Sequence, residues 1–194
     1  IIYPQSQDEI VALFTDITEQ MKTMEALRRS EETLRNIYKN IPVGIEIYDS
    51  AGILLDLNDI ESEIFGFERK EDVLGVNLFD NPNLPVQHLE ALQQGKEIMF
   101  PLTYKFSSVN KTYYNTKHEG TRNLTVKGTC LYDLNHNITN YLLIVIDNTD
   151  ALKAYRKIEK FETLFNDIAE FSKVGICRWN PLRDSFFGSD VWFQ

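Results

Sequence analysis

Between Ile17 and Ile41 the apolar positions fall three and four residues apart. Met24, Leu27, Leu34, Tyr38 and Ile41 share one stripe, and Glu31 is the one charged residue on that seam. The spacing predicts a helix over 18–41 and matches the seam of a two-stranded coiled coil. Asp16 or Thr18 can accept a backbone N–H at its start, and Pro42 ends it. Ahead of the helix, residues 9–15 read as a strand. Behind it, residues 44–49 alternate apolar and polar, Ser50 to Gly52 make a turn, and 53–58 form a second strand. Asn58-Asp59 can cap a short helix over 60–66 that closes at Gly66. A helical turn over 69–76 stops at Gly75, and the Pro- and Asn-rich stretch 77–85 reads as loop. A helix over 86–94 closes at Gly95. Strands follow at 97–106, 121–132 and 139–147, with 107–120 a long polar connection. A second long helix begins at Thr149, with Ala151, Ala154, Ile158, Phe161, Phe165 and Ile168 as its stripe. Gly175-Ile176 opens a further strand. Strands with a block of helices on one face predict an α+β domain.

Part of this pattern is written twice. Asp16-Ile17-Thr18 closes one apolar run and opens one helix; Asp147-Asn148-Thr149 does the same 131 residues later, from 16 to 147. At that offset Lys22 meets Lys153, Glu31 meets Glu162, Ile37 meets Ile168, and Val43-Gly44-Ile45 meets Val174-Gly175-Ile176. A repeat this long is a domain with its linker, because solenoid units span roughly 20–50 residues. The organisation expected is therefore the last strand of a preceding unit over 1–17, a linker helix over 18–41, one complete domain over 42–149, a linker helix over 150–172, and the start of a following unit over 173–194.

Composition narrows the partners. The chain has 194 residues, 43% of them hydrophobic, and a formal net charge of −9. A packed core is accessible, and an acidic balance argues against nucleic acid or an anionic membrane. No apolar run approaches the ~18 residues of a membrane span. Cys130 and Cys177 fall in different repeat units, which fits a reducing compartment better than a disulfide framework.

Four stretches resemble PAS domains, the sensory modules of bacterial signalling proteins. Val43-Gly44-Ile45 through Gly52 looks like the first PAS strand and its turn. Asn58 followed by Phe65-Gly66-Phe67 is similar to the family's Asn…Phe-Gly-Tyr stretch. Lys70 to Gly75 looks like its Glu-Glu-Leu-Ile-Gly turn. Asp147-Asn148-Thr149 resembles the Asp-Ile-Thr signature that ends the last strand, and Asp16-Ile17-Thr18 matches it fully. The resemblance implies a PAS fold: a five-stranded antiparallel sheet with short helices on one face, flanked by linker helices. It also implies a non-catalytic sensory and relay module of a two-component system. The parent would be a tandem-PAS sensor, a histidine kinase by class, with this segment in the cytoplasm of a chain that can itself be membrane-anchored. Its partners would be a second copy through the linker helices, the neighbouring PAS and output domains, and a small-molecule ligand. A ligand-free spacer and dimerisation module is the alternative.

The chemistry on offer is limited. The haem-binding members use a histidine near His88, which lies one position off the predicted inner face of its helix. The flavin-adduct motif Gly-x-Asn-Cys is broken by Leu78 after Gly75-Val76-Asn77. Neither haem nor flavin is therefore expected. No nucleotide loop or metal-spaced cluster is present, and no catalytic residue is assigned. The expected pocket walls are Ile45, Ile47, Phe65, Leu78, Leu89, Phe100, Leu102, Leu124, Val126 and Val145. Asp16, Thr18, Asp147 and Thr149 are the expected relay junctions, since each pair can cap a helix and tie its first turn to the sheet.

Overall fold

The structure is a computed structural model that describes residues 2–6, 9–12, 15–109, 111–172, 177–181 and 184–188. A hairpin of β1 (Ile2–Ser6) and β2 (Glu9–Ala12) leads to helix α1 (Thr18–Asn40). Then come β3 (Gly44–Asp49), β4 (Leu54–Leu57), helix α2 (Asp59–Phe65) and helix α3 (Val86–Gln93), with 3-10 turns at Lys70–Asp72 and Leu78–Asp80. Strands β5 (Ile98–Lys105), β6 (Thr121–Tyr132) and β7 (Ile138–Asp147) close the sheet, and helix α4 (Thr149–Ser172) leaves it. A last hairpin pairs β8 (Cys177–Asn180) with β9 (Ser185–Gly188). The expected strand opening at Gly175-Ile176 lies outside the described residues.

Five strands form one antiparallel sheet in the order β4-β3-β7-β6-β5. The chain enters at β3 and leaves from β7, and these two neighbours run side by side, Gly44 opposite Val145. The incoming and outgoing helices therefore attach to adjacent strands of one sheet. The helices and turns between β4 and β5 cover its inner face. Tyr48, Phe100, Tyr104, Leu124, Val126, Leu143 and Val145 meet Leu57, Ile64, Phe65, Leu78 and Leu92 there.

Register corrects one expectation. Gly44, Glu46 and Tyr48 share the inner face of β3, because alternate residues of a strand point the same way. Ile45 and Ile47 point outward, where they pair with Ile144 and Leu142 and stay half-buried. An acidic residue thus faces in and two isoleucines face out.

The long helices are built differently from the core. No residue of α1 is buried, and Met24, Leu27 and Leu34 stand at least 60% exposed along the predicted seam. Arg28–Glu32 and Arg29–Glu25 pairs lie on the rest of that surface. An apolar stripe of this kind gains little from water, so its helicity depends on packing against something else. Among the described residues, no helix is long and apolar enough to cross a membrane.

Candidate functional site

Asn58 joins three elements. Its side-chain oxygen accepts from Glu61 N at 3.0 Å, capping α2, and from Ile45 N at 3.0 Å, on β3. Its amide nitrogen donates to Val43 O at 2.9 Å and to Tyr38 O at 3.0 Å, in the last turn of α1. Its own backbone N–H reaches Ile45 O. The residue is 1% exposed and its amide makes two accepted and two donated bonds, the ordinary capacity of the group. The incoming helix, the first sheet strand and helix α2 therefore share one side chain.

Two acids lie beside it. Glu61 is fully buried, and apart from the Glu46 carboxyl neither of its oxygens has a hydrogen-bond partner. A Cβ added at Gly44 would overlap Glu61 Oε2, so the glycine makes room for the acid. Glu46 follows Gly44 on the same strand face, close enough for the two carboxyls to interact. Tyr48 Oη donates to Glu46 Oε2 at 2.8 Å. Burial first, then Glu46, pushes the Glu61 carboxyl well above its ordinary range; burial also raises Glu46, against the bond from Tyr48. Two like charges in one dry site cannot both ionise cheaply, so the pair holds a proton. Tyr38, the half-buried residue of α1, has its hydroxyl buried without a partner and pushed up to about 12 by burial, Glu61 and Asp59.

Glu46 lines a cavity between sheet and helices, together with Tyr48, Asn81, Tyr104, Tyr113 and Tyr114. About 20 Å³ there is open to the centre of a water molecule, room for one or two waters.

At the same end of the sheet, where Gly44 lies opposite Val145, Asp147 and Thr149 join β7 to α4. Asp147 Oδ1 accepts from Thr149 N at 2.8 Å, and Thr149 Oγ1 accepts from Asn123 N on β6 at 2.9 Å. The hydroxyl pins the first residue of the helix to the sheet. Asp147 Oδ2 pairs with Arg122. Burial would raise this carboxyl, but the bonds from Thr149 and the guanidinium outweigh it and hold it below the usual carboxylate range. Arg122 Nη2 lies 3.2 Å from His118 Nε2, and the same ring nitrogen lies 2.9 Å from Glu63 O on α2. That nitrogen serves one of them at a time: protonated it donates to the carbonyl, unprotonated it accepts from the guanidinium. Thr116 Oγ1 and Lys117 N bond the carbonyls of Phe65 and Gly66, and the His118 ring lies against Gly66, where φ is 72°. A continuous set of bonds therefore runs from the end of α2 to the start of α4. At the earlier joint, Asp16 Oδ1 accepts from Thr18 N at 2.9 Å, the same turn as Asp147 and Thr149.

The model of the PAS fold matches residues 32–147, more than half of the chain. The chain belongs to the PAS family. PAS domains of this kind are sensory modules of signal-transduction proteins. Among solved structures, it is similar to the PAS domain of Bordetella pertussis BvgS, at 20% identity over 71% of this chain and 98% of that one, with a TM-score of 0.49. It is also similar to the PAS domain of a HTR-like protein from Haloarcula marismortui, at 14% identity over 66% and 98%, with a TM-score of 0.49. A domain of a sensory box sensor histidine kinase/response regulator from Geobacter sulfurreducens matches at 17% identity over 62% and 96%, with a TM-score of 0.44. No curated protein sequence matches the chain.

In this PAS domain, Phe65, Leu102, Leu124, Val126 and Val145 line the cavity. Leu78, Leu89 and Phe100 do not line it; they are packed in the surrounding core. Ile45 and Ile47 face the opposite side of the sheet. His88 lies flat on Phe100, ring centroids 3.9 Å apart, outside the cavity wall. Cys130 is a buried core residue whose thiol reaches Leu92 O. Sequence reasoning missed Glu46, Glu61 and Arg122. Glu46 carried a signal, an acid in mid-strand two residues after a glycine; Arg122 carried none, because its partner is 25 residues away.

Proposed function

We propose that this PAS domain is a relay between neighbouring sensors. A change at the cavity or in the preceding unit reaches α4 through α2, His118, Arg122 and Asp147, and from there passes to the next domain. The observation that carries this reading is the chain of bonds from Phe65 and Gly66 through Thr116, Lys117, His118 and Arg122 to Asp147 and Thr149 at the helix start. The repeat of Asp-x-Thr at residues 16 and 147 supports a tandem array with the unit boundaries given above. We infer a sensor histidine kinase as the parent, the class that such helix-linked arrays resemble. Arg122→Met should speed amide exchange in the first turn of α4 by roughly five- to tenfold, the loss of about one net hydrogen bond. Unchanged exchange there would remove the relay route.

The exposed seams of α1 and α4 support a second element of the proposal, pairing with another copy of the chain. Met24, Leu27 and Leu34 on α1 and Ile158, Phe161 and Leu164 on α4 present exposed apolar surface. Leu34→Glu should shift sedimentation from dimer to monomer without unfolding the sheet. A wild-type chain that sediments as a monomer at high concentration would end this part of the proposal. A ligand-free spacer is favoured by the small free volume of the cavity, and it would share the helix pairing while showing no response at α4 to any change at the cavity.

A further inference from the structure

In the PAS cavity the tyrosine hydroxyls bond one another, Glu46 and the backbone, and the acids keep oxygens to spare. Tyr48 donates to Glu46, Tyr104 and Tyr114 bond each other at 2.7 Å, and Tyr113 donates to Asn77 O at 2.6 Å. Glu61 lies at Gly44 with no exposure and no side-chain partner but Glu46, which lines the cavity wall. No Lys, Arg or His lines that wall. The capacity the two acids offer is acceptor capacity, beside one hydroxyl proton left by the Tyr104–Tyr114 pair. Around it stand the rings of Phe65, Phe67, Tyr104, Tyr113 and Tyr114, whose faces attract cations.

We propose that the Glu46–Glu61 pair and the surrounding aromatic rings form a binding site for a small protonated amine, ammonium or a one-carbon alkylammonium. An occupant this size fits the room for one or two waters. Directional N–H donors suit carboxyl acceptors and ring faces. A hard metal ion would want about six oxygen ligands at short range, and among the described residues no metal-holding group of three acids, histidines or cysteines exists. The groups facing the pair are Tyr38 from α1, itself beside Asp59 of α2, Tyr48 from β3, Tyr104 from β5, and Tyr113 and Tyr114 from the connection to β6. None of them is a cation, so nothing but its own proton balances the charge of the empty pair. Charge balances on exchange: the pair with one proton carries one negative charge, and the ionised pair with one monovalent cation carries the same. One proton leaves as one cation enters. Affinity should then rise by up to about tenfold per pH unit while the pair remains protonated. An occupant of two heavy atoms binds in the millimolar range at best.

This inference rests on the sensory reading of the cavity. It is tested by titrating the 194-residue chain with methylammonium chloride while following backbone amide shifts of Ile45 and Glu61, with potassium chloride and methanol as the alkali and neutral controls. Saturable shifts with methylammonium alone, stronger at about pH 8 than at about pH 6 and lost in Glu46→Gln, support the site. Glu61→Gln gives a second variant should the first not fold, and the pH dependence of the wild type needs no variant. No saturation, an equal response to potassium or methanol, or saturation that survives both variants overturns it. Amide exchange in α4, measured in the same samples, separates the two readings. Binding without a change at α4 keeps the amine site and removes the relay. A response of α4 to Glu61→Gln without amine binding keeps the relay and removes the amine.

Discussion

Asn58→Ala should cost about 3–5 kcal/mol of folding stability and release α1 from the domain. The substitution leaves four backbone groups without their partner: Ile45 N, Glu61 N, Val43 O and Tyr38 O. Each buried group so stranded costs about 1–3 kcal/mol, reduced where water gets in. Water can reach Tyr38 O, Val43 O and Ile45 N, since those residues are only half-buried, so the total falls below a simple sum. Asn58→Asp separates the two halves of the effect. The aspartate keeps both accepted bonds, including the α2 cap, but cannot donate to Val43 O or Tyr38 O. It should retain more stability than Asn58→Ala and still raise amide exchange in the last turn of α1. Denaturant unfolding and site-resolved exchange check both parts. A loss under about 1 kcal/mol in Asn58→Ala would contradict the account, since it would mean that these carbonyls and amides find other partners without cost.

Stability should fall as the pH rises from the acid range, the reverse of the usual behaviour of paired carboxylates. Burial and the proximity of Glu46 raise the folded-state pKa of Glu61, and burial raises that of Glu46. The folded chain therefore keeps a proton that the unfolded chain releases. Their contribution is fully present below the unfolded carboxyl pKa, about 4.3, and is lost as pH rises through the raised folded-state values. The slope is about 1.4 kcal/mol per pH unit for each proton retained. Asp147 acts in the opposite sense: its depressed carboxyl contributes above the unfolded value of about 3.9 and is lost only as pH falls through the lower folded one. The two effects occupy different windows. Glu61→Gln should flatten the decline above about pH 5 and raise stability near neutral pH by about 1–3 kcal/mol. Its amide has the same shape, carries no charge and can donate to Glu46. A wild-type stability profile that is flat between about pH 5 and pH 8, or one unchanged by Glu61→Gln, would contradict the proton-holding pair.

Most of the fold was legible because each element carries its own period. The stripe from Met24 to Ile41 and the alternation in Gly44–Asp49 gave type and length, and Pro42, Gly66 and Gly95 gave ends. The start of α1 was readable at Asp16 and the start of α4 at Asp147, because a cap acts within two residues of itself. The phase of β3 was not legible. Alternation says that Ile45 and Ile47 share a face; it does not say which face the helices cover. The choice of the apolar face as the inner one failed because Gly44 makes room for Glu61 and Tyr48 satisfies Glu46. Asn58 was legible as a cap for α2, but its bonds to Tyr38 O and Val43 O depend on where α1 docks. Arg122 stood out in no local pattern, since what defines it is an acid on another strand and a histidine across a loop.

Amide exchange in the first two turns of α4, compared between the wild type and Glu61→Gln at one pH and equal global stability, tests the relay most directly. The proposed route from Glu61 to α4 runs through α2, His118, Arg122 and Asp147, and adding Arg122→Met separates it from the direct pairing of β3 with β7. We predict a change of roughly threefold or more in the exchange of Leu152 and Lys153, abolished when Arg122→Met is added. Identical exchange in both proteins, or a change that persists without Arg122, would contradict it.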